Sequence, residues 1–279
     1  MGNLYVSDLD GTLLNEHSVL SPATVRLLNR LIDRHGIRFT VATARTPATV
    51  EPLMRDVRTT LPYIVIGGAA LWDNAAKCYR HTRPLGDDTV EALARLFQAH
   101  ALHPFIYRRH GNLLHTHHYG DMSQKEADFV AARRNLPLKK FFLHDPDYSH
   151  NPDEALLVFS MNKYERLRAV ADDARAAVPC QVMLYHDIFD DTDGYLEITA
   201  EGTTKAAAIR RLAEELHADR VVVFGDNRND LEMMRVATHS VAVGNAFAEV
   251  RQAAHEVIGP NTADSVARWI ERDVTGYSI

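Results

Sequence analysis

Asp8 and Asp10 stand two positions apart in the run Ser7-Asp8-Leu9-Asp10-Gly11-Thr12, just after the short apolar stretch Leu4-Tyr5-Val6. An apolar run of that length, broken by a glycine, is the pattern of a buried strand giving way to a turn. Residues two apart can face one side there, and Gly11 lets the backbone bend away, so both carboxyl groups can enter one crevice. One carboxylate can then attack phosphorus to form an acyl-phosphate, while the other protonates the leaving oxygen and later activates water. Taken alone, the pair reads as two solvated turn aspartates, because aspartate suits turns for purely local reasons.

Three further places carry partners for that chemistry. Gly225-Asp226-Asn227-Arg228-Asn229-Asp230 follows the apolar run Val221-Val222-Val223-Phe224, so Asp226 can face the same crevice and Asp230 can cap a helix. Thr43 follows the run Phe39-Thr40-Val41-Ala42, and Lys205 opens a helical stretch. Each is unremarkable in isolation, as a turn, a helix cap and a solvated lysine. Together they answer an electrostatic problem. Ionised Asp8 and Asp226 would repel an incoming phosphate dianion in a partly desolvated cleft, and a lysine with a divalent cation removes the conflict. Magnesium suits the donor set, since it takes oxygen ligands and commonly uses only one or two protein carboxylates.

Parallel strands separated by helices supply the frame these residues need, because open parallel sheets build their sites at the carboxyl ends of their strands. Ser21-Pro22 reads as a helix start, Val25, Leu28, Leu31 and Ile32 share one face, and Gly36 closes the helix. Another helix starts at Thr46-Pro47, and Tyr63-Ile64-Val65-Ile66 reads as a third strand. The same alternation returns in a helix from about Thr204 to Leu216, the strand at 221–224, a helix from Asp230, the strand Ser240-Val241-Ala242-Val243 and a last helix near 263–272. Both ends of the chain therefore predict one α/β fold, a doubly wound parallel-sheet core formed by residues 1–83 and 199–279. Between them, strands at 105–107, 113–115, 156–159, 182–185 and 195–198, with helices at 88–100, 123–135 and 163–177, predict an inserted α+β domain over 84–198 with a largely antiparallel sheet.

Composition narrows the class. The net charge of -6 and pI near 6.2 argue against a nucleic-acid binder, which would present a basic stripe. Cys78 and Cys180 lie far apart without a zinc-ligand spacing or a disulfide framework, and the first residues lack a basic, apolar leader. The expectation is a cytoplasmic protein with no membrane partner. No GxGxxG or GxxxxGK[ST] stretch offers a nucleotide-phosphate loop.

The four places, Asp8-Leu9-Asp10-Gly11-Thr12, Thr43, Lys205 and Gly225 to Asp230, resemble in order the four motifs of the haloacid dehalogenase superfamily. The long insertion between the second and third motifs, with Ala42-Thr43-Ala44-Arg45 and Gly244-Asn245-Ala246, resembles the Cof-type or IIB branch, mostly phosphatases of sugar phosphates and other metabolites. The resemblance implies a Rossmann-like core and a cap inserted as the specificity element. It also implies Asp8 as nucleophile, Asp10 as general acid and base, and magnesium held by Asp8, the Asp10 carbonyl and Asp226. Thr43 and Lys205 would hold the phosphoryl oxygens, with Ala44 and Arg45 beside them. Asp230 would orient Lys205 or a metal-bound water, and Asn229 would approach the phosphate or the outer shell of the metal. Two departures bear on specificity: Ala44 stands where the branch often has glycine, and the stretch Gly67-Gly68-Ala69-Ala70 stands where it often has Asn-Gly-Ala.

An acid at Asp10 favours ester hydrolysis over dehalogenation, because a halide leaving group needs no proton. The implied substrate is a small phosphorylated metabolite. A sugar-phosphate phosphomutase, or a binding regulator without turnover, would use the same pocket. In the insertion, His115, His117, His118 and Tyr119 predict an alternating strand exposing its histidines to water. They lack a fourth ligand for a zinc site. Arg108-Arg109 and Arg133-Arg134 predict solvated charge.

Overall fold

The structure is a computed structural model that describes residues 2–187 and 190–276. Its elements run β1 (Gly2–Ser7), α1 (Pro22–His35), β2 (Arg38–Val41), α2 (Pro47–Met54), β3 (Tyr63–Val65), β4 (Ala70–Asp73) and β5 (Cys78–Arg80). Next come α3 (Asp87–Ala99), β6 (Phe105–His110), β7 (Leu113–His118), α4 (Gln124–Ala131), β8 (Lys139–Leu143), β9 (Glu154–Lys163), α5 (Tyr164–Ala177), β10 (Cys180–His186) and β11 (Asp193–Ala200). The chain ends with α6 (Lys205–Glu215), β12 (Ala218–Gly225), α7 (Leu231–Val236), β13 (His239–Ala242), α8 (Ala248–Ala253), β14 (Glu256–Val257) and α9 (Ser265–Thr275). Two compact units result, Met1–Arg80 with Thr204–Ile279, and His81–Thr203. The second unit reaches past position 198 because β11 stays paired with β10 as far as Ala200.

In the first unit a parallel sheet has the order β14-β13-β12-β1-β2. From β1 the chain moves outward to β2, and from β12 it moves the other way, so the order reverses between β1 and β12. The carboxyl ends of those two strands frame the crevice that such a reversal opens. Leu4, Tyr5 and Val6 of β1 and Val222, Val223 and Phe224 of β12 are all buried, which explains why both strands read as continuous rather than alternating apolar runs. The start of α1 follows local rules: Ser21 Oγ accepts from the Thr24 amide, Pro22 occupies the first turn and Gly36 ends the helix at φ 61°.

Tyr63 to Val65 departs from the expected third core strand. It touches the parallel sheet through one bridge, between Ala42 and Ile64, and otherwise pairs antiparallel with β4, which pairs with β5. The stretch Ala70-Leu71-Trp72-Asp73 is too short to show a strand period. Its partner β3 buries all three residues, and Trp72 is itself fully buried.

The second unit carries a sheet of order β10-β11-β9-β6-β7-β8, antiparallel except where β8 runs beside β7. Helices α3 and α5 share one apolar core with Ile106, Val158, Leu196 and Ile198 of the sheet. The helix expected over 123–135 ends at Ala131, and its start is a capping box between Ser123 and Glu126. Among the described residues no helix is long and apolar enough to cross a membrane.

Candidate active site

Asp8 follows β1 and is buried, its amide donating to the carbonyl of Phe224 on β12 at 2.9 Å. Its Oδ1 accepts from Lys205 Nζ at 2.6 Å, and the same ammonium donates to Asp230 Oδ1 at 2.8 Å. Asp230 is held in turn: its Oδ2 accepts from the amides of Asp226 and Asn227, each at 3.1 Å. Asp226 completes the cluster, its Oδ1 accepting from Thr12 Oγ1 at 2.8 Å. Carboxylate oxygens of Asp8, Asp226 and Asp230 lie within 4.8 Å of one another.

Lys205 comes from a helix start, as its place in the sequence suggested, and not from the end of a core strand. The strand before it, β11, belongs to the second unit, and Lys205 is the first residue of α6, after Thr204, whose side chain caps the helix by accepting from the Ala207 amide. What seats that helix start is Gly68. Its φ is +103°, and a Cβ there would fall 2.3 Å from the Thr204 carbonyl oxygen. Gly68 thus allows a close backbone approach beside the lysine. Gly11 does the same for Asp226, with φ +78° and a would-be Cβ only 2.4 Å from Asp226 Oδ2.

Charge in the cluster is unbalanced. Burial, with repulsion from Asp230 and Asp226, holds the Asp8 carboxyl well above the usual range despite the pull of Lys205. Burial and Asp230 likewise push Asp226 up to about 6. Burial by itself would depress Lys205, but Asp230 and Asp8 more than offset it and leave the ammonium strongly favoured. Three carboxylates against one ammonium leave a negative surplus that a dication would cancel, and every donor is oxygen. The residues present therefore fit a magnesium-like ion.

Asp10 takes no part in the buried cluster. It is half exposed, and Arg45 grips it through two parallel bonds, Nε to Oδ2 at 2.7 Å and Nη2 to Oδ1 at 2.5 Å. The hydrogen bond to Asp10 is the main reason the Arg45 guanidinium is held above its ordinary range. Arg45, expected beside the phosphate, is bonded to Asp10. Thr43 is buried, and its Oγ1 accepts from the Arg45 amide at 3.1 Å, while its backbone ties to Ile64 and Gly67. Ala44 stands half-buried between them. Asn229 Oδ1 is buried with no hydrogen-bond partner among the described residues.

Two contributors escaped the sequence reading. Thr12 appeared there only as part of a motif, and Asn245 donates from its Nδ2 to the Gly11 carbonyl at 2.8 Å while accepting from the Asn261 amide, pinning the loop after β1. Asn245 was named in the sequence only within Gly244-Asn245-Ala246, three residues past the end of β13.

The histidines of the insertion lie in the second unit, and the expected water-facing strand is not found. His117 and His118 are buried: His117 Nδ1 meets Asp145 Oδ2 at 2.7 Å and its ring stacks on Phe142, whereas His118 packs on Phe105, with no hydrogen-bond partner for either nitrogen among the described residues. Tyr119 is exposed. Arg108, expected in solvent, is fully buried, donating to the carbonyls of Ser149, Asn151 and Asp153. It anchors the segment before β9, and Arg109 pairs with Glu154.

A family profile describing haloacid dehalogenase-like hydrolases matches residues 5–270. The pyridoxal phosphate phosphatase of Escherichia coli is 25% identical over 269 residues, covering 94% of this chain and 95% of that protein. Among solved structures, a haloacid dehalogenase-like hydrolase from Bacteroides thetaiotaomicron superposes with a TM-score of 0.79 at 24% identity, covering 98% of this chain and all (100%) of the other. A sugar phosphatase of subclass IIB gives 0.76 at 19% identity, covering 98% and 99%. With the match spanning nearly the whole sequence, and the acid cluster at the carboxyl ends of β1 and β12, this chain belongs to the haloacid dehalogenase-like hydrolases.

Proposed function

We propose that this chain is a magnesium-dependent phosphatase of small phosphorylated metabolites, a sugar phosphate or similar phosphomonoester, working through an aspartyl-phosphate at Asp8. The observation that carries the reading is the buried cluster of Asp8, Asp226 and Asp230 around Lys205, with its surplus of negative charge. Asp8 Oδ1 is engaged by Lys205, so Oδ2 is the free oxygen that attacks phosphorus. As the Oδ2–P bond forms, the P–O bond to the leaving alcohol breaks, and the Asp10 carboxyl gives its proton to that oxygen. In the second displacement Asp10 takes a proton from water, the water oxygen bonds phosphorus, and the bond to Asp8 breaks to release inorganic phosphate.

Lys205 offsets charge growing on the phosphoryl oxygens, and Asp230, fixed by two amides, holds the ammonium in place. Magnesium, when bound, supplies a Lewis acid that polarises the phosphoryl group, and Asp8, the Asp10 carbonyl and Asp226 would hold it. The unpaired Asn229 Oδ1 suits a donor such as a water of the metal's outer shell. Thr43, Ala44 and Arg45 line the phosphate side, with Arg45 positioning Asp10 between its two turns of duty. Choice among esters is assigned to the inserted unit as a cap, and pyridoxal phosphate and sugar phosphates, named for its relatives, head the substrates to test. The cytoplasm is the compartment we propose, a setting that suits the free thiols Cys78 and Cys180.

Replacing Asp8 by Asn tests the core of this reading. In acid-quenched reactions the native protein is expected to carry a hydroxylamine-labile phosphoryl group and to release inorganic phosphate, and the folded Asp8→Asn variant to do neither. Magnesium-dependent turnover surviving in that variant would remove Asp8 from its role. Isomerisation without phosphate release would mark a mutase.

A further inference from the structure

The β6–β7 hairpin pairs Arg108 with His115 and His110 with Leu113, which sets His110 and His115 diagonally on one face of the sheet. Their rings stack with centroids 4.6 Å apart and planes 12° from parallel. Asp153, from the segment before β9, reaches in beside them, with its Oδ2 at 3.0 Å from His110 Nδ1 and 3.6 Å from His115 Nδ1. One carboxylate oxygen thus faces two Nδ1 atoms, and at 3.6 Å His115 makes no hydrogen bond to it. One ligand atom from each of the three residues falls within 4.8 Å of the others. Bonds of about 2.0–2.2 Å around a tetrahedral zinc ion place neighbouring ligand atoms roughly 3.3 Å apart. The two separations to Asp153 Oδ2, 3.0 and 3.6 Å, bracket that spacing, and the stacked imidazole rings must rotate out of parallel for both nitrogens to face one ion.

We propose that His110, His115 and Asp153 form a binding site for one transition-metal dication of the zinc class, in the second unit and apart from the acid cluster of the first. The fourth position is open to water, because His110 is exposed and the other two are half-buried. Two imidazole nitrogens with a single carboxylate select zinc, cobalt or nickel over magnesium, which demands oxygen. Arg108, directly across the hairpin from His115, donates to the Asp153 carbonyl at 2.7 Å. A bound ion would tie the hairpin to the chain segment before β9. The Arg108 hydrogen bonds to Ser149, Asn151 and Asp153 hold the same segment to the hairpin.

The test is titration of the full-length protein with Co2+ under a large excess of Mg2+, followed by visible absorption, with Zn2+ added to displace the cobalt. One equivalent of Co2+ is expected to give the intensified ligand-field bands of a four-coordinate, nitrogen-bound ion, bleached by one equivalent of Zn2+. His110→Ala, whose side chain is exposed, and Asp153→Asn should each weaken Co2+ binding at least about tenfold, while Asp226→Asn should leave the bands unchanged. Absence of the bands in the native protein would overturn the proposal. So would bands that survive His110→Ala and His115→Ala alike, or that vanish in Asp226→Asn.

Discussion

Lys205 grips Asp8 and Arg45 grips Asp10, and the two grips differ in environment. Lys205 is buried with Asp8 and Asp230, so its ion pairs are shielded from water, whereas Arg45 holds a half-exposed Asp10. Lys205→Met is expected to lower turnover roughly 100- to 1000-fold, as removal of an electrostatic donor does, and to destabilise the fold by about 3–5 kcal/mol when no metal is present, since it strands buried carboxylates. Activity assays paired with urea melts in chelator check both effects, and unchanged turnover would remove the lysine from the phosphoryl site. Arg45→Ala should act on rate without a comparable cost in stability, because exposed pairs contribute little to folding. At this scale the carboxylates, the threonine and the lysine were legible, because strand ends and helix starts put them in one neighbourhood whatever their rotamers. The Asp10–Arg45 clamp was not. Which partner a flexible arginine chooses depends on how two loops meet, and nothing in the spacing of Ala42-Thr43-Ala44-Arg45 encodes that.

At the scale of elements, Gly67 and Gly68 form a natural contrast. Both have positive φ, but a Cβ at 67 meets open space, whereas one at 68 would collide with the backbone at the start of α6. Gly67→Ala should therefore cost only left-handed strain, about 1–2 kcal/mol. Gly68→Ala should cost more and also lower turnover by displacing Lys205. Thermal melts and steady-state rates on both variants separate the two effects, and equal behaviour would refute the close-approach reading. Strand β8 offers the matching case in the second unit. Lys139-Lys140 disguised its start, yet Lys139 is buried with its Nζ 4.2 Å from the Tyr107 ring centroid and 4.8 Å from that of Phe141. Burial, helped by Arg133, pulls its amine from 10.5 down to about 7. Between pH 7 and 10.5 the unfolded chain then binds the proton that the folded one has released, so this group makes stability rise with pH across that window. Lys139→Met should flatten that rise and raise the melting temperature at pH 7. A native-like slope in the variant would assign the effect elsewhere.

At the scale of the whole molecule, the two-unit layout was legible because helix-separated strands at both ends gave way to strands that follow one another directly. The β3-β4-β5 meander was hidden, since short strands closed by a tight turn leave little periodicity to read. The first unit is built from two stretches of chain separated by the whole of the second, and the acid cluster spans that join. Asp8 comes from the first stretch, and Lys205, Asp226 and Asp230 from the other. Only part of the charge across the join is cancelled by Lys205, so a dication bound there would cross-link the stretches as well as serve the reaction. Binding to the folded form alone stabilises it by about 2.7 kcal/mol at a hundredfold excess over Kd. Removing magnesium with chelator should therefore speed amide hydrogen exchange in β1, β12 and the start of α6, and leave β9 and β11 unchanged. Asp226→Asn should exchange like the chelated native protein, with or without magnesium. Exchange that rises equally in both units on chelation would mean that the ion supports the fold at large rather than the seam between its two stretches of chain.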